Sequence, residues 1–319
     1  MKKYSKYLLT SLKGAAMGAA DVIPGVSGGT IAFMTGIYDE LLGSISSVNA
    51  TAVKLLFTGK FKEFWKHING NFLLSLFCGI GFSVVALAGL MSYLLVHQPV
   101  QTWGFFFGLI VASSIFILRG ISGWKAKDVA MTIFGILLGI TICTLSPTQT
   151  PDALWFIFIS GAIAICAMIL PGISGSFILL ILGKYEYIMS LITNVTTGNE
   201  VGSSIMILGI FLIGAAVGII SFSKFLHWLL GKYNRETILV LAGFIIGSLV
   251  KVWPWSDMET VIKSQNPDLL AIDAPLSADV LATYSQTVDL QIPGAIIFAI
   301  IGFSLVTGIE LAGKYLAKK

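Results

Sequence analysis

Charge is what this sequence most lacks. Only 11% of its 319 residues are Asp, Glu, Lys or Arg, whereas 56% are hydrophobic, and the mean hydropathy is +0.89. No soluble domain has an interior large enough to hide that apolar surface, so the composition excludes a soluble enzyme and predicts an all-α polytopic membrane protein. Histidine is scarce too: His67, His97 and His227 fall at predicted helix ends, which leaves little material for an imidazole-based catalytic or zinc centre. Cys78, Cys143 and Cys166 have no CxxC spacing and no histidine neighbours, so they read as small apolar packing residues. No catalytic residue, metal or cofactor is expected. The net charge of +4 does not indicate nucleic acid, because the basic residues lie in loops that flank apolar stretches. A cleaved signal is not expected either, since Thr10, Ser11 and Lys13 interrupt the apolar run that a signal would need.

Six stretches are long and apolar enough to cross a hydrocarbon layer of about 30 Å: 71–96, 103–120, 128–146, 203–230, 237–254 and 290–313. Two more, 8–48 and 153–193, are apolar but broken at the centre by proline and glycine. Unpaired backbone at that depth is tolerated only inside protein or beside a water-filled cavity, so both are predicted to be re-entrant helical hairpins. The two breaks align at one constant offset, pairing Pro24 with Pro171, Gly25 with Gly172, Ser27 with Ser174 and Gly28 with Gly175. The same offset pairs Gly36 with Gly183, Tyr38 with Tyr185 and Asp39 with Glu186. Farther on, FFFGLIVASS around Gly108 aligns with VLAGFIIGSL around Gly243 at an offset twelve residues shorter, the difference being the polar insert around KLLFTGKFKEFWKH. The chain is therefore read as an internal duplication, residues 1–150 and 151–319, each half being one re-entrant hairpin plus three crossings.

An odd number of crossings per half inverts the second half relative to the first. Placing both termini in the cytoplasm puts every lysine and arginine there except Lys184, Lys251 and Lys263, as the positive-inside rule requires. The seven tryptophans fall near predicted span ends. The segment 255–289 carries Asp257, Glu259, Asp268, Asp273, Asp279 and Asp289 against the single Lys263, and reads as a solvated cap outside the membrane.

The tips PGVSGGT and PGISGS are the residues most able to bind something. Pro24, Gly25, Pro171 and Gly172 shape the turns, and Ser27 and Ser174 stand where they cap the departing helices. Helix N-termini rich in small residues offer free N–H groups, so Ser27, Gly28, Gly29, Thr30, Ser174, Gly175 and Ser176 are expected to cradle an anion where the two tips meet. The competing reading is that the glycines serve only to let two hairpins cross closely. Among ionisable residues Asp21 lies deepest and aligns with Met168, so it is either an ion-coupling carboxylate or a capped structural acid. Asp39, Glu40 and Glu186 lie about 18 Å beyond the tips, either as coupling groups or as interfacial acids. Lys184 either attracts an anion from outside or snorkels, and Arg119 either meets a departing headgroup or simply ends a span.

With these tips, the repeated GxY[DE] pattern and the six-plus-two layout, the sequence resembles over nearly its whole length the undecaprenyl-phosphate (polyprenyl-phosphate) translocase family, PopT. The resemblance implies a flippase of the bacterial cytoplasmic (inner) membrane that returns undecaprenyl phosphate from the outer to the inner leaflet for cell-wall polymer synthesis. Its expected partners are that lipid, membrane lipids and a proton or sodium ion, with no nucleic acid; a homodimer is compatible with it. The tips also look like those of undecaprenyl-pyrophosphate phosphatases. That family has an arginine directly after the motif serine, where this chain has Gly28 and Gly175, and a glutamate pair that this chain lacks at its tips. A phosphatase-like enzyme and a small-solute or ion transporter remain the alternatives to the flippase.

Overall fold

A chain in contact with hydrocarbon must satisfy its backbone within each segment, and the described residues form helices and no strands. The computed structural model describes residues 2–317, apart from 22–26, 146–149, 173, 199, 271 and 273. In chain order the helices are α1 Lys2–Asp21, α2 Gly28–Met34, α3 Tyr38–Ser46, α4 Ala50–Phe57, α5 Phe61–His67, α6 Gly70–His97, α7 Pro99–Arg119 and α8 Ala126–Cys143. They continue with α9 Leu154–Ile169, α10 Gly175–Ile181, α11 Tyr185–Thr197, α12 Val201–Lys232, α13 Asn234–Gly247, α14 Met258–Gln265, α15 Pro267–Leu270, α16 Ala278–Ser285 and α17 Ile292–Ala317.

Among the described residues four stretches are long and apolar enough to cross a membrane, Gly70–Leu87, Pro99–Arg119, Ala126–Cys143 and Val201–Lys232, and the bent pair Gly175–Ile181 with Tyr185–Val195 is a fifth if it is one span. The expected crossing at 290–313 is the single helix α17, Ile292–Ala317, whereas the one at 237–254 is shorter than expected. Helix α13 has 14 residues, about 21 Å of rise, and gives way to a 3-10 turn at Ser248–Val250 ahead of Pro254, which cannot continue a helix. Helix α17 is apolar over Ile292–Gly308. Large apolar side chains stand exposed on the long helices, among them Phe82 and Val85 on α6 and Leu212 and Ile213 on α12, as lipid-facing surfaces require.

Two compact units divide the chain. The first is Met1–Val85 with Thr144–Leu241. In it α1 packs on α6 and α9 on α12 through glycines that leave no room for a side chain. A Cβ on Gly14 would strike the Leu76 carbonyl, and one on Gly79 the Ser11 carbonyl. The same collisions recur between Gly161 and Phe211 and between Gly214 and Phe158, residues that align with the first set at the two sequence offsets. The second unit is Ala86–Cys143 with Ala242–Lys319. There α7 meets α17 at Gly104, Gly108 and Gly302, and α8 meets α13 at Gly139, Gly243 and Gly247. Such close backbone approach is how helices associate in lipid, where burial from water supplies no driving force.

The acidic segment of the second unit is folded onto the α7 and α17 ends. Val100, Val261 and Ala295 form a small core there, with Trp255 and Val288 against it. Trp255 Nε1 donates to the Leu290 carbonyl at 2.8 Å, and Lys263 Nζ to the carbonyls of Ile272 and Ala274 at 3.0 Å each.

Candidate functional site

Each expected hairpin returns not as one helix but as two, and the break has the same construction in both. In the first, Ile37 N–H donates to the Ala32 carbonyl and Gly36 N–H to that of Phe33. In the second, Lys184 N–H donates to Leu179 and Gly183 N–H to Leu180, the aligned residues. Gly36 (φ 70°) and Gly183 (φ 61°) occupy the left-handed conformation that closes such a helix end, which accounts for the glycine in the repeated GxY pattern. Helices α10 and α11 consequently meet at a bend of 108°. The departing arms α2 and α10 have seven residues each, about 10 Å of rise, so they cannot cross a membrane alone.

Both arms begin at an extended serine, Ser27 (ψ 132°) and Ser174 (ψ 137°), as capping requires. The two tips touch within the first unit. Ser27 Oγ lies 3.2 Å from both the Met168 and the Leu170 carbonyl, which share its one hydrogen, and accepts from Gly29 N–H at 3.1 Å. Thr30 Oγ1 accepts from Gly172 N–H at 2.7 Å. Tyr38 Oη donates to the Ile169 carbonyl at 3.1 Å. Thus three hydroxyls of the first hairpin satisfy backbone groups that the break at 168–172 leaves without helical partners. A Cβ on Gly29 would run into the Ile169 carbonyl, so glycine is what allows this approach. Pro24 and Gly25 lie outside the described residues.

The two tips differ in their charges. Asp21 Oδ1 accepts from Gly28 N–H at 2.6 Å, which places a carboxylate at the N-terminus of α2. Lys13 Nζ donates to the Thr35 carbonyl at 2.7 Å, at the other end of the same helix. The two residues are eight apart on α1, about 12 Å, which matches the length of α2, so one helix supplies an anion and a cation to the opposite poles of the other. The aligned positions of the second repeat are Met168 and Ser160, without charge. No side chain caps α10; Ser174 Oγ instead pairs with Ser176 Oγ at 2.6 Å. Ser27 and Thr30 are 1% exposed and Ser174 is buried too, whereas Gly175 is half-buried and Ser176 exposed. The asymmetry expected from the pairing of Asp21 with Met168 is thus visible in the donors: Ser27, Gly28, Gly29 and Thr30 are buried, with a carboxylate and hydroxyls on them, whereas Ser174 is buried without a carboxylate and Ser176 is exposed.

The remaining candidates lie away from the tips. Asp39 Oδ1 meets His227 Nδ1 at 3.1 Å, joining α3 to α12, and Glu40 Oε1 takes Lys6 Nζ at 3.4 Å and Asn69 Nδ2 at 3.1 Å. Glu186 is exposed in the first turn of α11, and Arg119 is exposed at the end of α7 in the other unit. Lys184 is 2% exposed: its Nζ donates to the Thr150 carbonyl at 2.8 Å and to Asp152 Oδ1 at 2.5 Å, with the rings of Phe156 and Tyr187 nearby. It neither snorkels nor stands open to an anion. Sequence reasoning passed over Tyr38, Lys13 and Asp152. A tyrosine in an apolar stretch needs a partner for its hydroxyl, and that was the available signal for Tyr38.

The family described as "VCA0040-like: Undecaprenyl phosphate translocase-like" matches residues 17–269. A "Polyprenyl-phosphate transporter" of Vibrio cholerae serotype O1 is 47% identical over 255 residues, 80% of this chain and 80% of that protein. A "Polyprenyl-phosphate transporter" of Staphylococcus aureus is 35% identical over 256 residues, 76% of this chain and 85% of that protein. No solved structure gives a significant match.

Proposed function

The chain belongs to the undecaprenyl phosphate translocase-like family, and from that premise we propose that it moves undecaprenyl phosphate from the outer to the inner leaflet of the bacterial cytoplasmic membrane, for reuse in cell-wall polymer synthesis. The observation that carries this reading is the hydrogen-bonded meeting of the two broken segments, Thr30 with Gly172 and Ser27 with Met168 and Leu170. A polyprenyl phosphate needs polar donors for its headgroup only, since the tail is at home in lipid. Ser176, the exposed residue of the second tip, receives the phosphate first, and Ser174 and Gly175 behind it follow. Ser27, Gly28, Gly29 and Thr30 join them when the bonds between tips exchange for bonds to the phosphate oxygens. Charge-assisted bonds of this kind are about twice as strong as neutral ones, which favours the exchange.

Asp21 is the proposed coupling group, for a proton or a sodium ion. Its carboxylate holds the Gly28 amide that an incoming phosphate would need, so neutralising or moving it links the ion to the headgroup. Alternating access follows if the second half is inverted relative to the first, with both termini cytoplasmic. The reciprocal packing of the second unit supports that arrangement: α7 of the first half meets α17 of the second, and α13 of the second meets α8 of the first. The chemistry proposed is binding and movement, not hydrolysis, and the chain is a transporter rather than an enzyme.

The test is a leaflet-resolved assay of undecaprenyl phosphate in proteoliposomes containing wild-type protein or the D21N variant. The substituted side-chain amide keeps an oxygen that can accept from Gly28 N–H but carries no charge, so the fold is expected to persist while transport falls at least tenfold, on the order of the loss of one charged interaction. Unchanged transport by D21N removes Asp21 from the coupling role. Release of inorganic phosphate from undecaprenyl pyrophosphate by the purified protein supports the enzyme reading instead.

A further inference from the structure

Helices α4 and α5 form the insert that the second repeat lacks, and nothing in the transport site uses them. They are eight and seven residues long, well short of the roughly 12–15 residues at which an isolated helix becomes even marginal in water, so tertiary or environmental burial must hold them. The chain supplies almost none. Ala52 is the only buried residue of α4, and α5 has no buried residue. Val53, Leu56 and Phe57 share one face of α4 at helical spacing and all are exposed, Phe57 by 86%. Phe61, 65% exposed, and Trp65 stand one turn apart on α5. The segment is nonetheless firmly built. Asn49 Oδ1 caps α4 by accepting from Thr51 and Ala52 N–H, Gly59 turns the chain at φ 73°, and Trp65 Nε1 donates to Asn71 Oδ1. Asn71 in turn donates to the Tyr7 hydroxyl, and Asn69 to Glu40, so the insert is tied to the starts of α6, α1 and α3.

Charge identifies the occupant of these faces. Lys54, Lys60, Lys62 and Lys66 are all exposed, against Glu63 alone. Lys62 and Lys66 lie one turn apart, each next to one of the exposed aromatics Phe61 and Trp65. Short helices carrying aromatic and aliphatic residues together with lysines match a bilayer interface rich in anionic headgroups, with the rings at the hydrocarbon boundary and the ammonium groups among the phosphates. A protein partner or a second copy would have to offer an apolar surface ringed by acids; a leaflet of anionic phospholipid has both features everywhere. We infer that α4 and α5 are an electrostatic membrane-docking element that lies on anionic phospholipid headgroups and anchors the starts of α1, α3 and α6 against that leaflet. This inference does not depend on the transport reading.

Amide hydrogen exchange of residues 50–67 tests it, using the full chain in nanodiscs of phosphatidylcholine alone or with phosphatidylglycerol. Exchange in this segment should slow about tenfold or more when the anionic lipid is present, because each lysine near such a surface contributes attraction, and high salt should reverse the effect. The quadruple variant K54Q/K60Q/K62Q/K66Q should lose the difference between the two discs, with exchange elsewhere unchanged as the control for folding. The F57S/F61S variant should weaken protection in both discs. Equal exchange in the two discs, or protection that appears only when two protein copies share one disc, would overturn the proposal in favour of an intrinsic fold or a protein contact.

Discussion

At the residue scale the tips are governed by space and by hydroxyl groups. A methyl group at Gly29 meets the Ile169 carbonyl, whereas one at Gly81 on α6 meets nothing within 4 Å. G29A should therefore cost about 1–3 kcal/mol of stability by overpacking, and G81A almost nothing; unfolding in detergent compares the two directly. Thr30→Val keeps the shape but removes the acceptor for Gly172 N–H. It should cost about 1–3 kcal/mol, the penalty for a buried donor left unmade, and should reduce transport together with stability. The cap at Ser27 was legible in the sequence, because a serine at the start of a helix after proline and glycine is placed to accept from its amides; Ser174 stands at the same place but bonds Ser176 instead. Their present partners were not legible. Which carbonyl Ser27 reaches depends on how the tips cross, and the alignment of the repeats says nothing about crossing.

At the scale of elements, the kink at Gly183 is held by a buried lysine. Lys184 is buried and Asp152 is mostly exposed, so the two partners are not equivalent. D152A leaves an ammonium without its counter-ion inside protein and should cost about 3–5 kcal/mol; K184M leaves a carboxylate already in solvent and should cost clearly less. Unfolding of the two variants measures the order, and the reverse order would show that the aspartate does not neutralise the lysine. In the acidic segment, Lys263 and the Leu276 N–H beside Glu259 hold its carboxyl below the usual carboxylate range. A lowered folded value means that this contribution is complete at neutral pH and is lost as pH falls through that value. The protection of amides over 258–285, taken relative to their intrinsic exchange rates, should accordingly fall as the pH drops through that lowered value. The long helices were legible from hydropathy alone. The splitting of each returning arm at Gly36 and Gly183 was not: glycine and tyrosine repeat there, but a left-handed residue inside an apolar run has no hydropathy signature. Helix α13 fell short of its expected 237–254 because apolar composition persists through the 3-10 turn that ends it.

At the scale of the whole molecule, the two sequence offsets have counterparts in the packing. The same glycine contacts and the same helix-ending hydrogen bonds occur in both halves at the two offsets that the sequence showed. The halves differ where charge enters: Asp21 and Lys13 clamp one arm, Met168 and Ser160 leave the other unclamped, and only the first half carries the basic insert. In the proposed transport cycle this difference makes exposed Ser176, rather than the buried first tip, the place where a headgroup enters. Movement of labelled undecaprenyl phosphate between leaflets of proteoliposomes, for the wild type and for S174L, tests this account most directly. The wild type should accelerate movement well above protein-free vesicles and S174L should not, while remaining folded. Equal acceleration by both, or none by the wild type, would contradict it.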